Sequence, residues 1–551
     1  MSTTANVTTT EPLDYPVRES IAVTDAVPEP DTDSKPAAAP RRLIESVIWS
    51  WAGHAVFIAT GFLMPRFMDR HLGQASLGIW DFGWSIVSYF GLAQIGIGSS
   101  VNRYVAKHRT NNDVAALRRT VSSVNCFQTV AGFSMLVATA LLVWQFPALF
   151  GSRLGARTAD ARWILAFLGT ALAVETSFDA FRGVITGCHR WDLHNGINSA
   201  EQAVTTIAMM GAILAGGGLP ALAFVYLMGV VIAEIVRMTV AFRVCPELQL
   251  RWRDVSISEI RTLVVFGMKA LVDGLSRLLL YQANNILVVG HLGAVVLAVY
   301  ARGLALIRHT EVMTSKLAFV VTPAASALKS RGTPEELRQL LFDSTKYGAF
   351  VALPLLVYLA LFGDLVVQVW MGPGYGDGWV LTILAMGSLI PLLQRPAQQF
   401  LVGLNYHGRV GLASLIVAVI GVATAWAMTG PLHMGLIGAA LAISIPLSLD
   451  GVFIAVYVCY KLKIRLLDYL AVLRTPVACV APFALVLAAV RAFSDDDASA
   501  LVTLVVGTVL AGLVLVPCYW LWALPPRMRH VATTRFQALV PRMLRASPPT
   551  A

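Results

Sequence analysis

The sequence predicts an all-α integral membrane protein with about fourteen transmembrane helices. Two parallel six-helix lobes, related by a pseudo-twofold repeat, are followed by two further C-terminal helices. The first observation behind this prediction is composition, because the 551 residues are 56% hydrophobic and only 13% charged, with a mean hydropathy of +0.67. A soluble domain is about a quarter charged. The other two observations are the placement of the basic residues and a turn sequence that occurs twice.

Apolar stretches of about 20 residues, the length that crosses a bilayer, recur along most of the chain. We predict spans near residues 45–66, 76–99, 121–146, 162–183, 196–216, 219–241, 263–288, 293–322, 347–369, 379–404, 410–429, 434–460, 468–490 and 499–523. They divide the chain into an N-lobe of helices 1–6 (41–242), a cytoplasmic linker (243–262), a C-lobe of helices 7–12 (263–465) and helices 13–14 (466–525).

Both ends of the chain lie outside these spans. Residues 1–40 are rich in Thr, Pro, Ala and Asp and contain no apolar run, so they are not a signal peptide. Their composition predicts a disordered cytoplasmic tail. Residues 526–551 form a basic cytoplasmic tail, which is either a short amphipathic helix on anionic lipid or a solvated segment.

The basic residues predict the orientation. With the N-terminus inside, the inner segments carry most of the 42 Lys and Arg residues. The outer segments carry only Arg66, Arg70, Arg153, Arg157, Arg162 and Arg491. Cytoplasmic loops retain Lys and Arg, so this asymmetry places both termini in the cytoplasm. It also accounts for the net charge of +10 without nucleic acid as a partner.

The repeated turn predicts the two lobes. His71-Leu72-Gly73 recurs as His291-Leu292-Gly293, and the flanking sequences "RHLGQASLGIW" and "GHLGAVVLAVY" extend the match. Each copy lies in an outer turn, between predicted helices 1 and 2 or 7 and 8, where glycine accepts backbone angles that other residues resist. A weaker echo relates "FRGVITGCHR", after helix 4, to "FLVGLNYHGR", after helix 10. Parallel repeats of this kind are typical of transporters whose substrate site lies between the lobes.

Three motifs carry a family resemblance: "RHLGQASLGIW", "GLAQIGIGSSVNRYVAKHR" and "GVITGCHRWDLHNGI". With their order and spacing, the chain from about 41 to 525 resembles the Wzx-type polysaccharide and O-antigen flippases of the multidrug/oligosaccharidyl-lipid/polysaccharide superfamily. The resemblance implies a fourteen-helix protein of the bacterial inner membrane. It also implies flipping of undecaprenyl-diphosphate-linked oligosaccharide to the outer leaflet by alternating access. Its expected partners are that lipid-linked oligosaccharide, membrane lipids and other polysaccharide-assembly membrane proteins.

Basic residues inside the predicted C-lobe spans indicate an anionic passenger. They are Lys269, Arg277, Arg302, Arg308, Lys316 and Arg395. Ionisable groups at membrane depth usually face a wet cavity, and guanidinium groups match phosphate oxygens. Pro391 and Pro396 bracket Gln394 and Arg395, which predicts a kinked helix around a polar cavity. We therefore name these six cations and Gln394 as candidate substrate-binding residues.

Some of these cations have an alternative role. Arg302, His309 and Lys316 are spaced by seven and share one helix face. Asp273 and Arg277, and likewise Arg308 and Glu311, are spaced for structural ion pairs within a helix. Both interpretations stay open at the level of sequence.

The predicted N-lobe spans carry acids instead: Asp81, Glu175, Asp179, Glu201 and Glu234. Because Glu175 and Asp179 lie four residues apart on one helix face, they are candidates for coupling transport to H⁺ or Na⁺, together with Asp273. Pairing of Asp179 with Arg182 is the structural alternative. We expect no metal site and no catalytic residues.

Other functions compete with this one. A lipid II-type or teichuronic-type exporter and a multidrug or cation antiporter are the alternative transporters, although C-lobe cations would repel a cationic drug. The alternative from another class is a polyprenol-dependent glycosyltransferase or polymerase. An enzyme of that kind needs acids or bases on a sizeable outer loop, and the loop from about 146 to 161 offers only Asp160 as an acid. Asp495-Asp496-Asp497 is interpreted as a solvated loop, and no P-loop or HExxH motif occurs.

Overall fold

A computed structural model describes residues 39–94, 97–376, 378–494, 499–523 and 529 of the chain. Side chains are described throughout these ranges except at 39–52, 93–94, 97–100, 263, 265–270, 273 and 407. The acidic run at 495–497 and most of both predicted tails therefore lie outside the described residues.

The described part of the chain is helical and contains no strand. Its helices are α1 (Ala39–Leu72), α2 (Gln74–Val87), α3 (Ile97–Thr110), α4 (Val114–Leu154), α5 (Thr158–Gly187), α6 (Trp191–Leu214), α7 (Leu219–Val244), α8 (Ile257–Leu278), α9 (Asn284–Leu292), α10 (Ala294–Ala318), α11 (Val321–Arg331), α12 (Pro334–Met371), α13 (Gly378–Leu393), α14 (Arg395–Gly403), α15 (His407–Thr429), α16 (Gly435–Leu462), α17 (Leu466–Ala471), α18 (Arg474–Phe493) and α19 (Ala500–Trp522).

Eight helical stretches in the described residues are long and apolar enough to cross a membrane. They are Val114–Gly187, Leu219–Val244, Pro334–Met371, Gly378–Gly403, Gly408–Thr429, Gly435–Leu462, Arg474–Phe493 and Ala500–Trp522. The all-α membrane class is confirmed, whereas the count of fourteen is not. The predicted spans without a counterpart are helices 1, 2, 5, 7 and 8. Helices 1, 2, 7 and 8 flank the two repeated turns, and charged groups on helices 2, 7 and 8 lower the apolarity of these segments.

The repeated turn adopts the same backbone conformation in both copies. Gly73 has φ 83° and ψ 161°, and Gly293 has φ 95° and ψ 168°. Each glycine ends one helix and begins the next. Because φ is positive at both positions, a residue with a side chain would be strained there. The recurrence of the sequence therefore reflects a recurrence of geometry.

The weaker sequence match also corresponds to a pair of similar turns. The structurally equivalent positions of these turns are shifted relative to the positions that the sequence match pairs. α5 ends at Gly187 and the chain turns at His189 with φ 57°, while α14 ends at Gly403 and turns at Asn405 with φ 67°. In both turns the next amide donates to a carbonyl five residues earlier, Arg190 to Ile185 and Tyr406 to Leu401. The lobe boundaries themselves remain a prediction.

The buried side chains show where the two halves of the chain meet. One large core combines Phe82 and Ile164 of the first half with Leu297 and Phe362 of the second. Two smaller cores each belong to a single half. One consists of buried side chains from between Val101 and Leu248, and the other of buried side chains from between Val321 and Tyr469. The halves thus share a core at the end that carries the two HLG turns, and they have separate cores at the opposite end.

Two predicted helices are interrupted next to each other in space. α8 passes into α9 through a π-helical segment, Leu279–Ala283, and π segments often occur at functional sites. The predicted helix 10 breaks into α13 and α14 at Gln394, where φ is −91° and ψ is 0°. This break lies where Pro391 and Pro396 predict a kink, because each proline removes an amide donor and clashes with the preceding turn.

Candidate functional site

A cavity of about 1400 Å³ lies between α8, α10 and α14, next to both interruptions. Its charged lining side chains are Arg277, Arg308, Lys316, Arg395 and Glu311. Four cations therefore face one carboxylate across the cavity. A smaller adjoining space of about 50 Å³ brings in Asp450, which accepts a hydrogen bond from Ser414 Oγ at 2.9 Å.

The helix break positions Arg395. Because α14 begins at Arg395, its side chain projects from the first turn into the cavity. Nη2 of Arg395 lies 3.0 Å from Oε1 of Glu311, and Nη1 donates to Oε1 of Gln398 at 2.8 Å. The Tyr281 hydroxyl, in the π segment, donates to the same Glu311 oxygen at 3.1 Å. Glu311 thus orients one arginine and one tyrosine at the cavity wall.

The remaining three cations are more exposed to the cavity. All three have exposed side chains: Arg277, Arg308 and Lys316. The Arg308 guanidinium lies 5.3 Å from the centre of the Tyr281 ring. The predicted pairing of Arg308 with Glu311 is not the arrangement found, since Glu311 contacts Arg395 and Tyr281 instead. An anionic group that enters the cavity would meet several guanidinium and ammonium donors at once.

The other candidate substrate-binding residues lie elsewhere. Arg302 is 6% exposed and pairs with Asp81 of α2, so it does not line the cavity. Gln394 is 2% exposed and accepts a hydrogen bond from the Tyr469 hydroxyl at 2.7 Å. The side chains of Lys269 and Asp273 lie outside the described residues. His309, on the predicted shared face of α10, contacts the first half, because it stacks on Phe62 of α1 with 5.5 Å between ring centres, whereas Lys316 lines the cavity.

A second charged cluster lies in the first half of the chain, on α5, α6 and α7. It consists of Glu175, Asp179, Arg182, Glu201, Glu234 and Arg237. Arg182 lies 2.9 Å from Glu175 and 3.6 Å from both Asp179 and Glu234. Arg237 pairs with Glu201 and Glu234. Four carboxylates therefore share two guanidinium groups.

This acidic network is largely buried. Glu234 is 1% exposed and Arg237 3%, and Gln128 of α4 donates to Asp179 Oδ2 at 3.1 Å. Oε2 of Glu234 is buried without a hydrogen-bond partner among the described residues. A buried carboxylate oxygen in that state is costly when ionised. The network thus holds two more carboxylates than guanidinium groups.

Sequence reasoning missed several of these groups. Arg237 was not recognised as a membrane residue, although its i,i+3 spacing from Glu234 was a signal for an ion pair. Nothing in the sequence marks Tyr281 or Gln398 as a functional residue, since single tyrosines and glutamines are common in apolar segments. They become significant only because the π segment and the helix break turn them toward Glu311 and Arg395.

The chain is similar to a known protein family. A family model described as "Polysaccharide biosynthesis protein" matches residues 81–380. Two relatives cover most of the chain. A Shigella flexneri protein that carries the name O-antigen transporter is 20% identical over 423 residues, 75% of this chain and 96% of its own. The membrane protein EpsK of Bacillus subtilis (strain 168) is 23% identical over 423 residues, 74% of this chain and 82% of its own.

Solved structures share the fold. The lipid II flippase MurJ in an inward closed conformation superposes with a TM-score of 0.64 at 14% identity, over 86% of this chain and 99% of that one. An inward-facing multidrug resistance transporter of the MATE family, in the MOP superfamily, gives a TM-score of 0.62 at 14% identity, over 77% of this chain and 98% of that one. These likenesses confirm the predicted all-α membrane fold.

Proposed function

The chain belongs to the polysaccharide biosynthesis protein family, and we propose that it is a flippase for lipid-linked oligosaccharide. It moves an undecaprenyl-diphosphate-linked glycan from the inner to the outer leaflet of the bacterial inner membrane. It acts as a transporter rather than an enzyme. The names of the relatives, an O-antigen transporter and EpsK, support a passenger of this class.

The cationic cavity is the observation that carries this proposal. A diphosphate carries dense negative charge, and Arg308, Arg277 and Lys316 present donors to the cavity without being enclosed in a core. Guanidinium groups bind phosphate oxygens through two parallel donors. A positively charged drug would instead be repelled by the same side chains. The cavity therefore supports an anionic lipid headgroup over the cation-antiporter alternative.

The arrangement of the cores supports alternating access. The halves share one core at the HLG-turn end and separate at the end that holds the cavity. In the predicted orientation the HLG turns lie outside, so the cavity opens toward the cytoplasm, where the lipid-linked glycan is made. Transport then requires the shared core to separate and the opposite end to close around the headgroup.

The acidic network supports proton coupling as a second part of the proposal. Among the described residues no group of three or more His, Cys, Asp or Glu side chains converges closely enough to hold a metal ion. The carboxylates are instead interleaved with Arg182 and Arg237. This geometry favours H⁺ over Na⁺, with Glu234 as the proton-carrying group. Glu175 and Asp179 would then set its environment through Arg182.

The experiment that tests the flippase proposal uses a deletion strain of the source organism. Surface glycan and the leaflet distribution of lipid-linked oligosaccharide are measured after complementation with wild type, Arg308→Gln, Arg395→Gln and, as a matched control, the exposed Arg331→Gln. Wild type and the control should restore surface glycan. Each cavity variant should lower it about tenfold or more, the loss expected for one charge-assisted hydrogen bond. Normal glycan and leaflet distribution in the deletion strain would overturn the proposal.

Coupling is tested separately with wild type and Glu234→Gln. Wild-type transport should depend on a pH gradient and be indifferent to Na⁺, and Glu234→Gln should abolish the pH dependence. The surface variant Glu335→Gln serves as the control for charge removal. A wild-type protein that responds to Na⁺ but not to pH would overturn proton coupling and leave the flippase proposal standing.

A further inference from the structure

A groove lies between α6 and α7 and shares no lining residue with the cationic cavity. It has a volume of about 480 Å³, and its walls are built largely from small and aliphatic side chains. They include Gly196, Ile197, Ala200 and Val204 of α6 and Ile232 of α7. Val204 is 65% exposed and Ile232 62%. Aliphatic side chains this exposed on membrane helices face the acyl chains of the bilayer.

Small residues create the groove. A side chain added at Gly196 would meet no heavy atom within 4 Å, so this glycine borders open space. At Gly229 of α7, by contrast, an added Cβ would lie 2.2 Å from Oγ1 of Thr205. The two helices therefore touch at Gly229 and Thr205, whereas the space beside Gly196 is open. The polar residues that line the groove are Asp192 at one end, Thr205, and Glu201, which is already paired with Arg237.

A basic pocket of about 560 Å³ continues this groove at the end of the helices. It is lined by Arg109, Cys188, Arg190, Leu193, Val240, Arg243 and Val244. Leu193 lines both the groove and the pocket, so the two spaces adjoin. The first turn of α6, which carries Asp192, also faces this end.

The charges of the pocket leave it net basic. Arg109 pairs with Glu247 at 2.8 Å and Arg190 with Asp192 at 2.9 Å. For Arg243, which is exposed, the described residues provide no ion pair. Trp191, 43% exposed, stands beside Arg190, and tryptophan is enriched at the level of lipid headgroups. The basic pocket therefore lies at headgroup depth, with the apolar groove leading from it into the membrane.

We propose that α6 and α7 hold one anionic phospholipid of the surrounding leaflet. Its phosphate lies beside Arg190 and Arg243, and one acyl chain fills the groove past Gly196. Basic pockets between transmembrane helices bind anionic headgroups in this way. A bulk lipid fits better than the lipid-linked passenger, because the groove opens to the bilayer and shares no lining residue with the cationic cavity. The site is independent of the proposed transport activity, so its test is a binding measurement.

The full chain is purified in mild detergent and examined by native mass spectrometry. Phosphatidylglycerol or phosphatidylcholine of identical acyl chains is added. Wild type and the control Arg331→Gln should retain one phosphatidylglycerol molecule preferentially. The double variant Arg190→Gln/Arg243→Gln should lose roughly tenfold or more in apparent affinity for phosphatidylglycerol and none for phosphatidylcholine.

A second variant tests the groove itself. Gly196→Leu should fill it without a backbone clash and weaken retention of both lipids, with the thermal unfolding temperature unchanged. Equal retention of phosphatidylglycerol by wild type and all variants would overturn the site. Displacement of the bound lipid by equimolar undecaprenyl phosphate would overturn the assignment to bulk phospholipid. Displacement by inorganic phosphate at the same concentration would overturn the role of the acyl chain.

Discussion

Asp81 and Arg302, 221 residues apart in the chain, form an ion pair between the two halves of the molecule. Nη2 of Arg302 lies 2.7 Å from Oδ1 and 2.6 Å from Oδ2 of Asp81. The two side chains are 7% and 17% exposed. Nearby, Asn285 donates to Ser85 Oγ at 3.0 Å, which is a second polar contact between the halves. These contacts lie within the core that the halves share, so they join the halves near the end of the bundle that carries the HLG turns.

The first prediction concerns this ion pair. Asp81→Asn leaves a buried guanidinium without its counter-charge, which typically costs about 3–5 kcal/mol. Because the pair exists only while the HLG-turn end is closed, the variant should populate the open state of that end. The measurement is disulfide cross-linking of Ser85→Cys with Asn285→Cys in a cysteine-free background. Cross-linking should be efficient with Asp81 present and several-fold lower in Asp81→Asn.

The control for this prediction reverses the pair. Asp81→Arg/Arg302→Asp keeps both charges in contact and should recover cross-linking that Asp81→Arg alone loses. Glu335→Gln, on the surface of α12, should leave cross-linking unchanged. If Asp81→Asn cross-links as fully as wild type, the ion pair does not hold that end closed.

A second prediction concerns Glu311, the one carboxylate among the residues that line the large cavity. Glu311→Gln keeps an oxygen that accepts from Tyr281 and removes the negative charge beside Arg395. The affinity of the purified protein for inorganic diphosphate should therefore rise several-fold, and it should fall by about tenfold in Arg395→Gln. Calorimetric titration at low salt measures both. An unchanged affinity in both variants would show that diphosphate does not bind in this cavity.

The sequence was informative wherever a local rule has one structural solution. Gly73 and Gly293 were predicted to lie in equivalent turns, and both have the positive φ that glycine alone adopts readily. The break at Gln394 follows from the two prolines around it. The polar, cavity-forming helices 7 and 8 were predicted as spans but are not among the eight apolar stretches, since the side chains they turn inward lower their apolarity.

The site could be predicted only in part, because the role of a buried cation depends on its partner. Arg302 and Arg308 are both on α10 and equally prominent in the sequence, yet Arg302 meets Asp81 across the halves and Arg308 faces the cavity. That difference arises from the packing of α2 against α10. An added Cβ at Gly78 would lie 1.8 Å from the carbonyl oxygen of Ala294, so the two helices are in backbone contact there. No spacing rule within one helix contains this information.

A third prediction concerns Gly348 of α12, which makes room for the helix break. A Cβ at this position would lie 2.7 Å from Cγ of Pro396. Gly348→Val should therefore displace the start of α14 and destabilise the protein by about 1–3 kcal/mol. Thermal unfolding in detergent should show a lower midpoint, and binding of inorganic diphosphate should weaken because Arg395 moves with α14. Gly211→Val is the matched control, since nothing lies within 4 Å of an added Cβ at Gly211. Equal midpoints for the two variants would contradict the prediction.

A fourth prediction uses Cys188, which follows α5 in the basic pocket beyond the end of the membrane-spanning stretch Val114–Gly187. A hydrogen bond from the Cys245 thiol, assisted by the Arg109 guanidinium, lowers the pKa of Cys188 below that of an ordinary thiol. The same contact raises the pKa of Cys245. Since the thiolate is the reactive form, alkylation of Cys188 should reach half its maximum at a lower pH than that of an ordinary thiol, while Cys245 should react more slowly than Cys188.

Peptide mass spectrometry after brief iodoacetamide treatment measures the two cysteines separately, in a variant with the other four replaced by serine. Arg109→Gln should shift the midpoint for Cys188 upward, because the guanidinium favours the thiolate. Bound phosphatidylglycerol should slow the reaction, since its phosphate would occupy the pocket that Cys188 lines. A midpoint above pH 8 in the wild-type pocket, as for an ordinary thiol, would show that neither Cys245 nor Arg109 stabilises the thiolate.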